Sequence, residues 1–295
     1  MKNRLISAAP VLFSVAIFIG AFGCATSGRN KGEINIYSVA TDAKLGAHWV
    51  DYVHKQMPML FDERLVNYVD QLGQKIVALF PEDALFKYRF EVVKDPQVNA
   101  FALPGGYIFV NLGLLQVVET EAELASVLGH EMGHVVFRHG TEQLTKAQGW
   151  SCCLSIGAAA LGLGPTSVDV INLFGQTGLL YYGRTAELEA DTFGIESLYK
   201  ANYDITYSAR FFETLQKIQK GKPSLLDKLL STHPLPKDRI KHAKNEAKKY
   251  PTQKNPIVST PSFKTMKQIL EKYPNQYKKS ELRKQLHSYY LEHDF

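Results

Sequence analysis

The chain has 295 residues, of which 45% are hydrophobic, 21% charged and 11% aromatic. That balance suits one large domain or two small ones and excludes a disordered chain. Much of the formal net charge of +5 lies in the last third, in KHAKNEAKK and QYKKSELRK, with no recognition motif beside it. This describes a solvated basic face and argues against a nucleic-acid partner.

At the N-terminus, Lys2 and Arg4 precede VLFSVAIFIGAFG, and Cys24 follows. A charged start, an apolar stretch and small residues before a cut site describe a secretory signal over residues 1–23. Cys24 after Gly23 also resembles the lipidated cysteine of a bacterial lipobox, although Ala21 and the bulky Phe22 depart from that pattern. The competing reading is an uncleaved anchor helix, for which Leu5 to Phe22 is marginally long. Lipidation at Cys24 would attach the protein to a membrane. Ala25, in place of an aspartate, points to a periplasmic protein held at the outer membrane. The other two cysteines, Cys152 and Cys153, are adjacent, and no disulfide framework or cysteine metal site can be built from them.

Residues 24–41 are small and polar and read as a tether. A helical pattern begins at Asp42, and a second helix starts at Asp62 with Leu65, Tyr68, Val69, Leu72 and Ile76 on one face, ending before Pro81. YRFEVV at 88–93 and NAFALPGGYIFVNLGLL at 99–115 read as a small sheet of three strands, with Pro104-Gly105-Gly106 as a turn. Thr120 opens the next helix, with Glu123 completing a capping box, and this helix is expected to run to about Gln148. SCCLSIGAAALGLG at 151–164 is too short to span a bilayer and reads as a buried helix or, alternatively, a membrane-facing loop. Further helices are expected over 183–200 and 206–220, followed by a basic helix that ends near Pro251. The expected domain occupies residues 42–250, with 251–295 as an extension that covers the site, binds a partner or braces the core.

The helix from Thr120 carries HEMGH at 130–134. Residues four apart lie on one helical face, so His130 and His134 can offer two nitrogens to one metal ion. Glu131 is offset by about 100° and is better placed to reach a water on that ion than to bind it. A pair of imidazoles beside a general-base carboxylate is the pattern of metal-assisted peptide hydrolysis. A catalytic zinc needs a third protein ligand. The segment RTAELEAD offers Glu187, with Glu189 and Asp191 as competitors and Arg184 nearby, and spacing alone does not choose among them. His139, five residues after His134, is expected on a different face.

HEMGH followed by ELEAD resembles the zinc metallopeptidase family that includes the CAAX prenyl proteases, the membrane protease HtpX and periplasmic lipoprotein proteases of the BepA and LoiP type. NAFALPGGYIFVNLGLL resembles that family's strand before the active-site helix. THPLPKDRI resembles its His-Pro segment with a later arginine, here His233, Pro234 and Arg239. The likeness covers roughly residues 45–245, and it departs at Gly183, where many relatives carry serine. It implies an α+β, mostly helical, zincin-like metalloprotease domain with a small sheet packed beside the HExxH helix. It further implies one zinc per chain held by His130, His134 and Glu187, with Glu131 as catalytic base and Asp191 orienting a ligand histidine. His233 is expected either to assist catalysis at the oxyanion or to fill the open metal position and silence the enzyme; the alternative is a turn histidine tied to local backbone. The strand from Tyr107 is expected to receive substrate along its edge, with Asn99, Gly105 and Gly106 shaping the groove; the alternative is a plain core strand. The expected activity is endopeptidase cleavage of unfolded or misassembled polypeptides in the bacterial cell envelope. The alternative is a chaperone or assembly factor that uses the zinc fold as a binding module, with envelope assembly machinery as its partner.

Overall fold

A computed structural model describes residue 29 and residues 34–147, 182–234 and 237–274. The signal segment, Cys24, Cys152-Cys153 and the apolar stretch 151–164 lie outside the described residues.

Helix α1 (Val39–Gln56) begins at an N-cap where the Ser38 side chain accepts from the Thr41 amide. Helix α2 (Glu63–Val77) is capped in the same way by Asp62 and buries Leu65, Val69, Leu72 and Ile76, as the 3.6-residue periodicity requires. Three strands follow: β1 (Arg89–Val93), β2 (Ala100–Leu103) and β3 (Tyr107–Asn111). They lie in the order β1-β3-β2, with β1 parallel and β2 antiparallel to β3. Alternation along the strands splits their side chains between two cores. Phe101, Leu103 and Phe109 pack with Trp49 and Val53 of α1 on one face. Ala100, Ala102, Ile108 and Val110 join the main core on the other. Both faces are covered, which is why YIFV reads as an unbroken apolar run. The β2–β3 turn places Gly105 and Gly106 at φ of 82° and 93°, a region that glycine enters at little cost.

The short helix α3 (Leu112–Val117) leads into α4 (Glu121–Val136), whose Thr120–Glu123 capping box is formed. Every residue of α4 is buried. Then come α5 (Arg184–Lys200), α6 (Tyr207–Gly221), a 3-10 turn (Pro223–Leu226), α7 (Asp227–Thr232), α8 (Lys237–Ala247) and α9 (Pro261–Leu270). The domain is therefore mostly helical, with a small sheet beside α4, as the fold class anticipated.

Three local features differ from the expectations. The helix bearing HEMGH stops at Val136 rather than continuing to Gln148. Arg138 takes a positive φ of 59°, and helix resumes over 139–147. The break turns the Arg138 guanidinium onto buried Asp42, with Nε 2.6 Å and Nη2 3.0 Å from its carboxylate, and onto the Tyr37 carbonyl at 2.5 Å. Residues 34–37 are likewise not a free tether. Asn35 donates to Thr141 Oγ1 at 2.9 Å, and the Ile36 amide donates to Thr145 Oγ1 at 3.2 Å. Finally, the domain's packing continues past residue 250. Phe263, Met266 and Leu270 of α9 enter the main core, and burial of such side chains contributes about 1.5–3 kcal/mol each. The segment before α9 also holds the start of α4. Ala122 N donates to Val258 O at 3.0 Å, and Glu121 accepts from Tyr203 Oη at 2.9 Å and Thr260 N at 2.6 Å. Among the described residues, no helix is long and apolar enough to cross a membrane.

Candidate metal centre

Helices α4 and α5 pack closely because small residues line their contact. A Cβ on Gly133 would lie 3.0 Å from Ala190 Cα, and one on Gly129 would lie 2.9 Å from Ser197 Cβ. The glycine inside HEMGH is thus a packing residue that brings Glu187 onto the histidines. His130 Nε2 and His134 Nε2 are 3.0 Å apart. Glu187 Oε1 lies 3.4 Å from His134 Nε2, and Glu187 Oε2 lies 3.7 Å from His130 Nε2. A fourth donor arrives at the end of α7: His233 Nδ1 is 2.9 Å from Glu187 Oε1 and 3.4 Å from His130 Nε2. One donor atom from each of the four residues lies within 4.8 Å of the others, and all four are buried. A tetrahedral zinc with bonds of about 2.1 Å holds its ligands about 3.4 Å apart. The observed separations bracket that value, and three imidazoles with one carboxylate suit a borderline divalent metal. This cluster can hold a metal ion.

Further residues fix these donors. His130 turns Nδ1 to Asp191 Oδ1 at 2.9 Å. Arg239, from α8, grips the same Asp191 in bidentate fashion, with Nε to Oδ2 at 2.8 Å and Nη2 to Oδ1 at 2.6 Å. Its Nη1 reaches Glu187 Oε2 at 2.6 Å and the Pro234 carbonyl at 3.2 Å. One guanidinium therefore joins both α5 carboxylates to the loop that carries His233. On the other side, His134 Nδ1 meets His139 Nδ1 at 2.8 Å, and His139 Nε2 meets Glu189 at 3.1 Å. Tyr182 stacks on the His134 ring with centroids 3.9 Å apart.

Electrostatics sort the carboxylates. Burial pushes the Glu131 carboxyl up, and the His233 and His130 charges only partly oppose this. Glu187 is buried as well, but His233 and Arg239 more than offset the penalty and hold it well below the usual value. Asp191 is lowered by Arg239 and His130 despite its burial. Burial drives His134 well below the ordinary histidine value, which favours the neutral imidazole that binds metals. His233 is raised: burial lowers it, but Glu187 and Glu131 outweigh that. Glu131 Oε2 and His233 Nε2 are buried without a hydrogen-bond partner, and so are His130 Nδ1 and Glu187 Oε2, which meet Asp191 and Arg239 only as ion pairs.

The three acidic candidates of RTAELEAD separate clearly. Glu187 is fully buried among the donors, Asp191 backs His130, and Glu189 is half-exposed and serves His139. Arg184 pairs instead with Asp238 on the surface. His139 does not point away, as expected for one continuous helix; the break at Arg138 returns it to His134. No sequence pattern flagged Tyr182, and the link from Arg239 to both carboxylates required the fold.

The groove residues are corrected. β3 is the central strand and pairs on both sides, so Tyr107 cannot receive an added strand. The outer strand nearest the donors is β2, whose Ala100 lines a cavity with His130 and Glu131. Asn99 is fully buried, and its carbonyl accepts from Asn111 N at the end of the β2–β3 ladder. Gly106 packs against Phe86, whereas Gly105 packs against Ala43 and lines a second, smaller cavity together with His134 and Tyr182.

The sequence profile of Peptidase family M48 matches residues 64–247. The putative beta-barrel assembly-enhancing protease of Vibrio cholerae is 33% identical over 223 residues, covering 71% of this chain and 44% of that protein. The beta-barrel assembly-enhancing protease of Escherichia coli is 27% identical over 229 residues, covering 75% and 46%. The mitochondrial metalloendopeptidase OMA1 of Schizosaccharomyces pombe is 34% identical over 192 residues, covering 65% and 55%. The chain spans about half the length of the curated relatives it matches. The profile match runs from α2 to the end of α8 and contains HEMGH, ELEAD and the His233–Arg239 segment, so the chain belongs to peptidase family M48.

Proposed function

We propose that the chain is a zinc-dependent endopeptidase that cleaves unfolded or misassembled polypeptides in the bacterial cell envelope. The observation that carries this reading is the convergence of four buried donors beside a carboxylate, Glu131, whose Oε2 has no partner. His130, His134 and Glu187 would hold zinc, which when bound supplies Lewis-acid polarisation. Glu131 Oε2 takes a proton from the attacking water and passes it to the departing amide nitrogen, giving a new carboxylate and a new amine. Asp191 and His139 hold the two histidines in orientation through Nδ1, leaving Nε2 of each free. An extended polypeptide laid along the outer edge of β2 would be read through its backbone. His233 is a gate: as the fourth donor it occupies the position that substrate chemistry needs open.

The location rests on the signal-like N-terminus and Cys24, and the envelope role on the names of the beta-barrel assembly-enhancing relatives. The test is complementation of a strain lacking the gene. Wild type restores envelope integrity and Glu131→Gln does not; full rescue by Glu131→Gln would instead favour a binding role in assembly. Palmitate labelling that survives in Cys24→Ser would overturn the anchor.

A further inference from the structure

The chain reaches the domain at Arg29, whose side chain is fixed from several sides. Its Nε donates to Asp83 Oδ2 at 3.0 Å and its Nη2 to Glu196 Oε1 at 3.1 Å. Its guanidinium lies over the Phe193 ring at 5.1 Å and the Phe80 ring at 5.7 Å. Arg29 stands five residues after Cys24, and five extended residues span about 18 Å at most. A domain of this length is about 45 Å across. A chain held in a bilayer at or before Cys24 can therefore bring the face around Arg29 to the surface, but not the opposite one. That face is where α2, α5 and α8 end. Lys200, at the end of α5, sets Nζ over the Phe80 ring at 4.1 Å, just past the end of α2. Tyr250, after α8, packs on Tyr199 at 4.8 Å, so the basic run KHAKNEAKK delivers exposed Lys248 and Lys249 to the same place. Lys75 lies over the Tyr203 ring at 5.3 Å, and exposed Lys254 follows Gln253, which donates to the Tyr203 carbonyl at 2.8 Å. Asp83 and Glu196 are neutralised by Arg29, and Glu246 by Lys249. Lys75, Lys248 and Lys254 have no acidic partner among the described residues, and exposed Glu82 is the acid that stands against them.

We propose that this face lies on the membrane, with Lys75, Lys248 and Lys254 meeting anionic phospholipid headgroups and the metal centre turned away from the bilayer. The proposal rests on the anchored reading of the N-terminus above, and it holds whether the anchor is a lipid on Cys24 or an uncleaved helix. Anionic lipid attracts cations that come within a Debye length of its surface. Arg29 supplies the rigidity that a free tether lacks, because it fixes where the chain leaves the domain. Glu187 and Lys200 lie near opposite ends of α5, about 20 Å apart along its axis. The donors are thus held well above the docked face. Helix α6 begins beside that face, passes the metal centre where Phe212 meets Arg239, and ends beyond it at Gly221. Polypeptide therefore reaches the site from the aqueous side, close to the membrane.

The test uses the full-length zinc-loaded protein in vesicles of phosphatidylethanolamine and phosphatidylglycerol, with Cys152 and Cys153 replaced by serine. A fluorescent label is placed on Thr252→Cys, beside the lysines, or on Lys220→Cys, at the far end of α6; Ala78→Cys serves if the first variant fails to fold. Quenching by lipid that carries a spin label on its headgroup is then measured, after subtraction of the signal from protein with no added cysteine. Quenching should be several-fold stronger at Thr252→Cys than at Lys220→Cys. The difference should shrink when neutral phosphatidylcholine replaces phosphatidylglycerol, when Lys248→Glu and Lys254→Glu are combined, and in Arg29→Ala. A difference that neither the neutral lipid nor the charge reversal changes overturns the part given to the lysines, and one that survives Arg29→Ala overturns the part given to Arg29. Equal quenching at the two positions, or stronger quenching at Lys220→Cys, overturns the orientation while leaving the anchor standing. Protein that fails to float with the vesicles defeats the anchored reading, and the docked face falls with it.

Discussion

His233 Nδ1 and Glu187 Oε1 meet at 2.9 Å, although 46 residues separate them in the chain. The contact brings the loop after α7 onto the donor set supplied by α4 and α5. If His233 is a fourth ligand, removing it should leave three protein ligands and an open position, the arrangement of catalytic zinc sites. His233→Ala should therefore retain zinc with affinity reduced about tenfold or more, and its rate on unfolded casein should rise several-fold. Inductively coupled plasma analysis and casein hydrolysis measured together check this. A fall in activity with zinc fully retained would assign His233 to the reaction itself rather than to gating.

Arg239 neutralises two buried carboxylates at once. Removing one partner of a buried ion pair costs about 3–5 kcal/mol, because the remaining charge is left uncompensated. Arg239→Ala should lose about that much stability in a denaturant titration and should bind zinc poorly. Arg239→Lys should recover only part of it, since a single ammonium cannot reproduce the bidentate grip on Asp191. Equal stability of the two variants would contradict this.

His139 Nδ1 meets His134 Nδ1 at 2.8 Å. Such outer partners are worth about 10–100-fold in metal affinity. His139→Ala should weaken zinc binding within that range in a competition titration with a chromogenic chelator, while leaving the far-ultraviolet spectrum unchanged. Glu189→Gln should do much less, because the Glu189 side chain is half-exposed.

Lys267, on α9, donates to the carbonyls of Leu115, Gln116 and Val118 at 3.1, 3.0 and 2.9 Å, closing the C-terminal end of α3. Burial brings its ammonium down to about 8, with Glu123 and Glu119 opposing the shift. The folded state thus sheds this proton before the unfolded chain does, so between about pH 8 and 10.5 the unfolded state binds more protons and stability rises with pH. Lys267→Met should abolish that rise, and at pH 7 it should cost about 1–3 kcal/mol by leaving the carbonyls unpaired. Denaturant unfolding at pH 7.5 and 9.5 separates the two effects.

Local rules made several elements readable in advance. The cap at Asp62, the capping box at Thr120, the glycine turn at 105–106 and the apolar face of α2 each follow from neighbouring residues alone. HEMGH was readable for the same reason, since a helix fixes what lies four residues away. The less legible features depend on residues far apart in sequence. Asp42 and Tyr37 draw in Arg138 and break the helix, which redirects His139. The centrality of β3 depends on β1 crossing to its far side, which alternation along YIFV does not reveal. Residues 251–270 look polar and unassigned, yet three apolar side chains at helical spacing, Phe263, Met266 and Leu270, are enough to seat α9 in the core.

The central claim is that Glu131 handles the proton while His130, His134 and Glu187 hold the metal. It is tested most directly by measuring zinc content and casein hydrolysis together in wild type and Glu131→Gln. The expected result is one equivalent of zinc in both proteins and a rate at least about a hundredfold lower in the variant, with wild-type activity abolished by chelation and restored by added zinc. Undiminished hydrolysis by zinc-loaded Glu131→Gln would contradict the account.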